Sequence, residues 1–206
     1  MNLFFTADEH YGHSNRNGGI SFMCNRPYAN LEEMKEAFIA NHNAKVPDKN
    51  DSLTVHLGDM FWRFLTTEEC CEIMDRLNGK HAYIRGNHEE VFHVPDNMLL
   101  QAKFVDIADV KLMKVGKKRV WLSHYAHRAW PKSHQGAYHL FGHTHGVMPP
   151  YRRSRDAGVD ANNYSPLSFD ELDQWASKLV LEPDEIEKDM LAHPWPQLDH
   201  LPEGSH

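Results

Sequence analysis

Five short apolar runs recur along the chain, and each one ends in aspartate, asparagine or histidine. The clearest run is Ser52–Asp59, in which leucine and β-branched residues lead to Gly58 and then to Asp59. A short run of this kind is typical of a buried strand, and glycine lets the backbone turn at little steric cost. The other runs are Leu3–His10, His81–His88, Arg119–His124 and Tyr138–His145. We predict five strands whose carboxyl ends meet at one edge of a sheet, with Asp59 central.

Capping signals predict helices between and after these strands. The capping pairs are Asn30 with Glu33, Thr66 with Glu69, and Ser168 with Glu171. Each pair has the spacing of an N-cap and its reciprocal acid. A last helix is predicted near Asp184–Leu191, whereas residues 11–28 are predicted to form a loop. A hairpin is predicted at Gly116-Lys117, between strand-like runs at Phe104–Val115 and Arg119–Ser123. The alternation of strands and helices predicts an α/β protein.

Composition narrows the class of protein. The 206 residues, of which 41% are hydrophobic, are consistent with one domain that has its own core. No apolar span is long enough to cross a bilayer, and no signal-peptide pattern is present. The net charge of −7 argues against binding to duplex nucleic acid or to an anionic membrane. Three cysteines do not form a disulfide framework, so we expect a reducing, cytoplasmic setting.

The polar residues at the strand ends have the chemistry of metal ligands. The candidates are Asp8, His10, Asp59, Asn87, His124, His143 and His145. Oxygen and nitrogen ligands without cysteine suit divalent Mn, Fe, Zn, Co or Ni. Seven ligands are too many for one ion, and two ions about 3.5–4 Å apart need a bridging anion. The two carboxylate oxygens of Asp59 suit that position.

The charge of such a centre predicts its ligand. Two divalent ions contribute about four positive charges, whereas Asp8 and Asp59 contribute only two negative charges. A net positive centre therefore remains inside an acidic protein. Such a centre captures a phosphate group and activates a bridging water.

These motifs together resemble the calcineurin-like metallophosphoesterase superfamily. The resemblance is carried by Asp8-x-His10, Gly58-Asp59, Gly86-Asn87-His88, His124 and Gly142-His143-x-His145. Residues 5–13, Cys24-Asn25-Arg26-Pro27 and Leu77-Asn78-Gly79-Lys80 also resemble a small bacterial and phage branch of that superfamily. The resemblance covers roughly residues 3–172 and implies a β-sandwich flanked by helices (α/β/β/α). We predict a single domain over residues 1–192, followed by a C-terminal tail over residues 193–206.

The resemblance also implies a role for each ligand. One metal would be held by Asp8, His10, Asp59 and His145. The other would be held by Asp59, Asn87, His124 and His143. His88 would be the catalytic residue that contacts phosphate and assists the leaving oxygen. The chain departs from the family pattern at Glu9 and Glu89, but neither change removes a ligand.

Residues around the centre are predicted to shape the substrate pocket, and those favoured for substrate binding are Asn87, His127 and Arg128. His13, Arg85 and Trp130 are further candidates. Packing or a solvated loop would account equally for these three residues and for His127 and Arg128. Three histidines inside predicted strands, His56, His81 and His139, are expected to be structural. A wall over residues 124–136, with Tyr125 and Trp130, is expected to stack on a base or an aromatic ring.

The predicted function is a dinuclear metal-dependent phosphohydrolase. The favoured activity is a phosphodiesterase that uses a metal-bridging hydroxide and manganese on a small or nucleotide-like phosphoester. The alternatives are a phosphomonoesterase and a non-catalytic metal-binding scaffold. A nuclease acting on short or single-stranded substrates is also compatible with the sequence, whereas no membrane partner is expected.

Overall fold

Two β-sheets form the centre of the molecule. The computed structural model describes residues 2–14, 18–47, 51–88 and 97–180. The strands are β1 (Asn2–Thr6), β2 (Ser52–His56), β3 (Lys80–Ile84), β4 (Asp106–Ala108), β5 (Val110–Val115), β6 (Lys118–Ser123), β7 (Tyr138–Phe141), β8 (Ser154–Asp156) and β9 (Leu167–Ser168). The first sheet has the order β4-β3-β2-β1-β9, and the second has the order β5-β6-β7-β8.

Parallel pairing brings the carboxyl ends of neighbouring strands together. In the first sheet β1, β2, β3 and β4 are parallel, and in the second sheet β6, β7 and β8 are parallel. The predicted hairpin is confirmed, because Val115 of β5 pairs with Lys118 of β6. The five predicted strands are also present, but they belong to two sheets and not to one. The run Phe104–Val115 contains two strands, β4 and β5, which pair with different sheets on either side of Asp109.

Four of the five α-helices in the described part of the chain begin at a residue whose side chain caps them. They are α1 (Gly19–Met23), α2 (Leu31–Lys45), α3 (Thr67–Arg76), α4 (Met98–Gln101) and α5 (Phe169–Ser177). The three predicted caps are confirmed, and those of α3 and α5 are complete capping boxes. The prediction of a loop over residues 11–28 is wrong at α1. This short helix begins at Gly19, directly after Gly18, and both glycines have a positive φ. It has no side-chain cap that a sequence pattern would show.

The core lies in two layers, one on each face of the first sheet. Between the sheets, Phe5 and Val55 pack with Leu122 and Leu140 of the second sheet. On the other face of the first sheet, buried residues of α2 and α3 pack with Tyr83. The outer face of the second sheet is covered differently. Its Trp121 and His139 side chains contact His127 and Trp130, which belong to the irregular segment after β6. The predicted sandwich of two sheets flanked by helices is confirmed, with α2 and α3 on the outer face of the first sheet.

Several predictions fall outside the described residues. They are the helix near Asp184–Leu191, the tail over residues 193–206 and the departure from the family pattern at Glu89. The domain boundary at residue 192 accordingly stays a prediction. Within the part of the chain that the structure describes, every helix is too short or too polar to cross a lipid bilayer.

Candidate metal centre

The loops that follow the parallel strands are joined to one another by backbone hydrogen bonds. The Asp8 N–H donates to the Gly58 carbonyl at 3.0 Å, and the His10 N–H donates to the Asp59 carbonyl at 3.0 Å. At the second sheet, the Gly142 N–H donates to the His124 carbonyl at 2.9 Å. Pairing thus continues beyond the strands themselves. It holds the predicted ligand segments side by side.

Two groups of three ligand-type side chains lie within these loops. The first consists of Asp8, His10 and His145, and the second consists of Asp59, His124 and His143. Within each group, one potential ligand atom from each residue lies within 4.8 Å of the others. The Asp59 Oδ2 atom is 3.7 Å from His10 Nε2 and 3.4 Å from His124 Nε2. Asp59 therefore faces both groups, as a bridging carboxylate would.

The two remaining predicted residues, Asn87 and His88, join the second group. The Asn87 Oδ1 atom lies 2.9 Å from His124 Nε2. The backbone N–H groups of Asn87 and His88 both donate to Asp59 Oδ1, at 2.8 and 3.0 Å. The His88 side chain is 37% exposed, whereas that of Asp59 is 2% exposed. The structure thus brings all the predicted ligands together, with His88 at their solvent-facing side.

The backbone at this centre adopts an uncommon conformation. Five of the seven predicted ligands have φ between 48° and 66°, in the left-handed region. They are Asp8, His10, Asp59, His143 and His145. This region costs most residues about 1–2 kcal/mol, although aspartate, asparagine and histidine enter it more readily than other types. Strain of this kind persists where the surrounding structure enforces it, and it clusters at functional sites.

Glycine is required where the loops approach most closely. A Cβ atom on Gly58, which has φ +96°, would lie 2.5 Å from His124 Nδ1 and 2.7 Å from the Gly86 Cα. A Cβ atom on Gly142 would lie 2.8 Å from Asp8 Oδ2. The glycines of the Gly58-Asp59 and Gly142-His143 motifs therefore make room for the neighbouring ligands.

The hydrogen bonding of the cluster fits a bound cation. Both ring nitrogens of His10 are buried and have no hydrogen-bond partner in the described part of the chain. His124 donates its Nδ1 proton to the Leu57 carbonyl at 2.8 Å, which leaves the Nε2 lone pair of a neutral ring facing Asn87 Oδ1 and Asp59 Oδ2. Lone pairs that converge in this way need a positive charge between them. A divalent ion with oxygen and nitrogen ligands supplies it.

The metal-free cluster holds protons that a metal ion would displace. Burial raises the pKa of the Asp8 carboxyl to about 8. Burial favours the neutral form of His124, but the neighbouring Asp59 carboxylate outweighs it and raises the His124 pKa to about 8. Likewise, burial opposes a charged His145, yet the hydrogen bond to Asp160 raises its pKa to about 10. Metal ligands must lose their protons to bind, so metal binding here releases protons.

An aromatic surface that the sequence did not indicate lies beside His88. The Trp62 ring stacks on His13, with ring centroids 3.6 Å apart and planes 10° apart. The Trp62 ring centroid is also 5.0 Å from that of His88, and His13 in turn lies against His10. His13 is therefore part of the centre's wall. The sequence did not predict Trp62, because no sequence motif marks a tryptophan three residues after Asp59.

The predicted substrate residues divide into two sets. His127 and Arg128 line a cleft of about 380 Å³ together with Phe141, Met148 and Tyr151. The Arg128 guanidinium lies 4.2 Å from the Tyr151 ring centroid. In contrast, Arg85 forms an ion pair with Asp109, the residue that follows β4, at 2.9 Å. Arg85 therefore has a structural contact of its own.

The predicted aromatic wall is only partly available to a ligand. Tyr125 is half exposed, and its ring centroid lies 4.7 Å from that of His143. Trp130 is buried and donates its indole N–H to the Ala137 carbonyl. It also packs against His139. The expectation that Trp130 stacks on a substrate is therefore wrong, because its ring belongs to the outer layer of the second sheet.

Two carboxylates beyond the predicted ligands support the His143-His145 loop. Asp156 Oδ2 accepts hydrogen bonds from the Thr144 hydroxyl at 2.7 Å and from the Gly146 N–H at 2.9 Å. Asp160 Oδ2 lies 2.8 Å from His145 Nδ1. The sequence predicts a loop or an edge strand over Ser154–Tyr164, and the position of the two acids on either side of Gly158 is the one signal that marks them.

Comparison with known proteins decides the family. The model of the calcineurin-like phosphoesterase family matches residues 1–171. The chain belongs to this family. The predicted superfamily and enzyme class are confirmed, and the protein is a metal-dependent phosphoesterase. An uncharacterized protein of Methanocaldococcus jannaschii is similar to this calcineurin-like phosphoesterase, at 30% identity over 171 residues, with 82% of this chain and 87% of that protein covered.

Two solved structures are similar to this chain at lower identity. A protein of unknown function from Aquifex aeolicus, AQ665, has a TM-score of 0.62 at 23% identity, with 84% of this chain and 98% of that chain covered. The E. coli phosphoesterase Yfce has a TM-score of 0.38 at 19% identity, with 77% of this chain and 78% of that chain covered. The first of these supports the fold of this calcineurin-like phosphoesterase.

Proposed function

We propose that this calcineurin-like phosphoesterase is a two-metal phosphodiesterase for a small or nucleotide-like phosphoester. The observation that carries the proposal is the position of Asp59 Oδ2, which lies 3.7 Å from His10 and 3.4 Å from His124. These histidines belong to different ligand groups. A carboxylate between two groups of ligands is the feature that a dinuclear centre needs and a mononuclear centre does not.

The residues divide between the two ions as follows. Asp8, His10, Asp59 and His145 would hold one ion, and Asp59, Asn87, His124 and His143 would hold the other. When bound, two divalent ions would stabilise negative charge on the phosphoryl oxygens and would lower the pKa of water, so that a hydroxide nucleophile is available at neutral pH. Manganese suits the mixed oxygen and nitrogen ligands, as do Fe, Zn, Ni and Co.

His88 would donate a proton to the leaving oxygen from its ring. Two features support this role. Its side chain is 37% exposed beside almost fully buried ligands, and its backbone N–H is fixed by a 3.0 Å hydrogen bond to Asp59 Oδ1. An alkoxide leaving group departs poorly unless it is protonated, so an acid at this position would assist the hydrolysis of an alkyl phosphoester.

The cleft lined by His127 and Arg128 would bind the part of the substrate that is not phosphate. Its volume of about 380 Å³ is within the range of small-molecule sites. Tyr125 offers a half-exposed ring next to His143. An aromatic ring beside a cationic centre suits a nucleotide-like ligand, since bases stack on aromatic side chains. The small cleft does not favour duplex nucleic acid.

A matched pair of aryl phosphates tests the proposal. Manganese-loaded protein would be assayed with an aryl phosphodiester and with the monoester of the same phenol. We expect a higher kcat/KM for the diester. A higher kcat/KM for the monoester would replace the proposal with a phosphomonoesterase. Hydrolysis of neither ester by fully loaded protein would favour the non-catalytic scaffold.

The cellular setting is part of the proposal. The described cysteines, Cys24, Cys70 and Cys71, are all free thiols. Free thiols are typical of reducing compartments, which supports a cytoplasmic enzyme.

A further inference from the structure

A buried arginine and aspartate connect the segments that carry the first ligand group. The Arg26 guanidinium binds Asp160 in a bidentate pair, with Nε 2.8 Å from Oδ1 and Nη2 2.7 Å from Oδ2. The Arg26 side chain is fully buried, and the Asp160 side chain is 7% exposed. Neither residue belongs to the predicted ligand set. A buried ion pair of this kind is costly to desolvate, so it is expected to have a specific task.

Arg26 also holds the backbone of the loop after β1. Its Nη2 donates to the Asp8 carbonyl at 2.6 Å, and its Nη1 donates to the Glu9 carbonyl at 2.9 Å. Asp8 has a left-handed φ of 59°, so its peptide groups need partners outside regular secondary structure. The guanidinium itself rests over the Phe38 ring of α2, at 5.3 Å from the ring centroid. The loop that carries Asp8 and His10 is thereby attached to α2.

Asp160 extends the same contact to the other ligand segment. Its Oδ2 atom lies 2.8 Å from His145 Nδ1. An ionised carboxylate only accepts hydrogen bonds, so Nδ1 of His145 must carry the proton of this bond. In a neutral ring the lone pair is then on Nε2, which leaves that nitrogen to bind a metal with Asp8 and His10. A carboxylate that accepts a hydrogen bond from the other ring nitrogen commonly fixes a metal-binding histidine in this way.

We infer that Arg26 and Asp160 are positioning residues that set the ring nitrogen and the orientation with which His145 binds metal. This inference rests on the proposed metal centre. The same pair joins the Asp8 loop to His145, so both sides of the first ligand group are held by one buried contact. Removing the Asp160 charge should therefore weaken metal binding while leaving all proposed ligands in the chain.

Direct binding of a metal ion by His145 and Asp160 is an alternative to the positioning role, and the experiment must distinguish the two. Cys24, His145 and Asp160 also have potential ligand atoms within 4.8 Å of one another. If these three residues held an ion, His145 Nδ1 would bind that ion and could not donate to Asp160. The two roles are mutually exclusive for Nδ1 in a single state. The thiol of Cys24 provides the means to distinguish them.

The test uses cobalt bound to the full chain. Co²⁺ affinity would be measured by competition with a chelator for the wild type, Asp160→Asn and Asp160→Glu. We expect Asp160→Asn to weaken binding by about 10–100-fold and to alter the visible cobalt spectrum. Asp160→Glu should recover part of the affinity, because it restores the carboxylate. Arg155→Lys, a change on strand β8 that contacts Asn162 and Trp175, serves as the matched control with unchanged affinity.

Two further variants keep the inference testable. If Asp160→Asn does not fold, as judged by circular dichroism, Arg26→Lys keeps the charge but loses the bidentate contact and should alter the cobalt spectrum in the same direction. Cys24→Ser should leave the number of bound ions unchanged, and the wild-type spectrum should lack a thiolate-to-cobalt charge-transfer band. Such a band, lost together with one ion in Cys24→Ser, would overturn the inference in favour of a thiolate site.

The remaining outcomes separate this inference from the proposed function. Wild-type protein that binds no metal would overturn both. Wild-type protein that binds metal, with Asp160→Asn and Arg26→Lys unchanged in affinity and spectrum, would overturn the positioning role alone. Lower stability of the metal-free variants with an unchanged cobalt spectrum would also overturn it, since that result indicates a structural role only.

Discussion

At the residue scale, Asp59 and His88 are neighbours in one cluster for which we propose different roles. Asp59 is buried between the ligand groups, whereas His88 contacts it from the exposed side. We expect Asp59→Asn to lose metal and activity together. His88→Ala should keep its metal but lose about a hundredfold or more in kcat, the usual scale for lost acid–base catalysis. Elemental analysis and steady-state kinetics of both variants would check this, and metal loss in His88→Ala would contradict the assigned role.

His139 shows how a buried histidine away from the centre affects stability. It is fully buried, with its ring nitrogens next to the hydroxyls of Ser123 and Ser154, and burial lowers its pKa to about 3. The folded pKa lies below the unfolded value of about 6.5, so the unfolded state binds the proton more readily. Stability is therefore complete above about pH 6.5 and falls as the pH drops towards 3.

This predicts a specific acid dependence. Between pH 6.5 and 5 the free energy of unfolding should fall by about 2 kcal/mol because of His139, at about 1.4 kcal/mol per pH unit. His139→Gln does not titrate, so its free energy of unfolding should depend less steeply on pH by that amount. Urea unfolding at several pH values, with a chelator present, measures both slopes. Equal slopes for the two proteins would contradict the prediction.

At the element scale, the loops after the strands depend on glycine for different reasons. Gly58 has φ +96°, and a Cβ there would meet His124 Nδ1 at 2.5 Å. Gly116, in the β5–β6 hairpin, also has a positive φ, of +58°, but a Cβ there has nothing within 4 Å in the described structure. A substitution at Gly116 would therefore cause backbone strain alone, whereas a substitution at Gly58 would cause backbone strain and steric conflict.

The corresponding variants form a matched pair. Gly116→Ala should cost about 1 kcal/mol of stability through strain alone and keep full activity. Gly58→Ala should additionally displace His124 and lower both metal content and kcat. Thermal unfolding, elemental analysis and kinetics on both variants would test this. Full metal content in Gly58→Ala would show that the loop accommodates a side chain.

At the scale of the whole molecule, the metal centre joins the two sheets. Asp8 and Asp59 follow strands of the first sheet, whereas His124 and His143 follow strands of the second. A metal ion bound by residues of both sheets stabilises the folded state only, by about 2.7 kcal/mol at a concentration one hundred times the Kd. We expect Tm to rise with added manganese and bound metal to approach two ions per chain. Asp59→Asn should lack this rise, and at most one ion per chain at saturation would contradict the dinuclear centre.

Local chemistry allowed much of the protein to be predicted from its sequence. The capping boxes of α3 and α5 and the strand endings at Asp59 and His124 were recognisable because each depends on residues close together in the chain. The same holds for the hairpin at Gly116. The ligand types were likewise visible, since aspartate, asparagine and histidine at strand ends have few structural reasons to recur.

Other features were decided only by the tertiary structure. Arg26 and Asp160 are 134 residues apart, and no local pattern relates a guanidinium in one loop to a carboxylate in another. The split of Phe104–Val115 between two sheets depends on which partner strands are available, not on the strand propensity of the run. Trp130 is buried because its ring packs against the outer face of the second sheet. Residue type and spacing determined the chemistry of the centre, whereas the packing of distant segments decided which side chains support it.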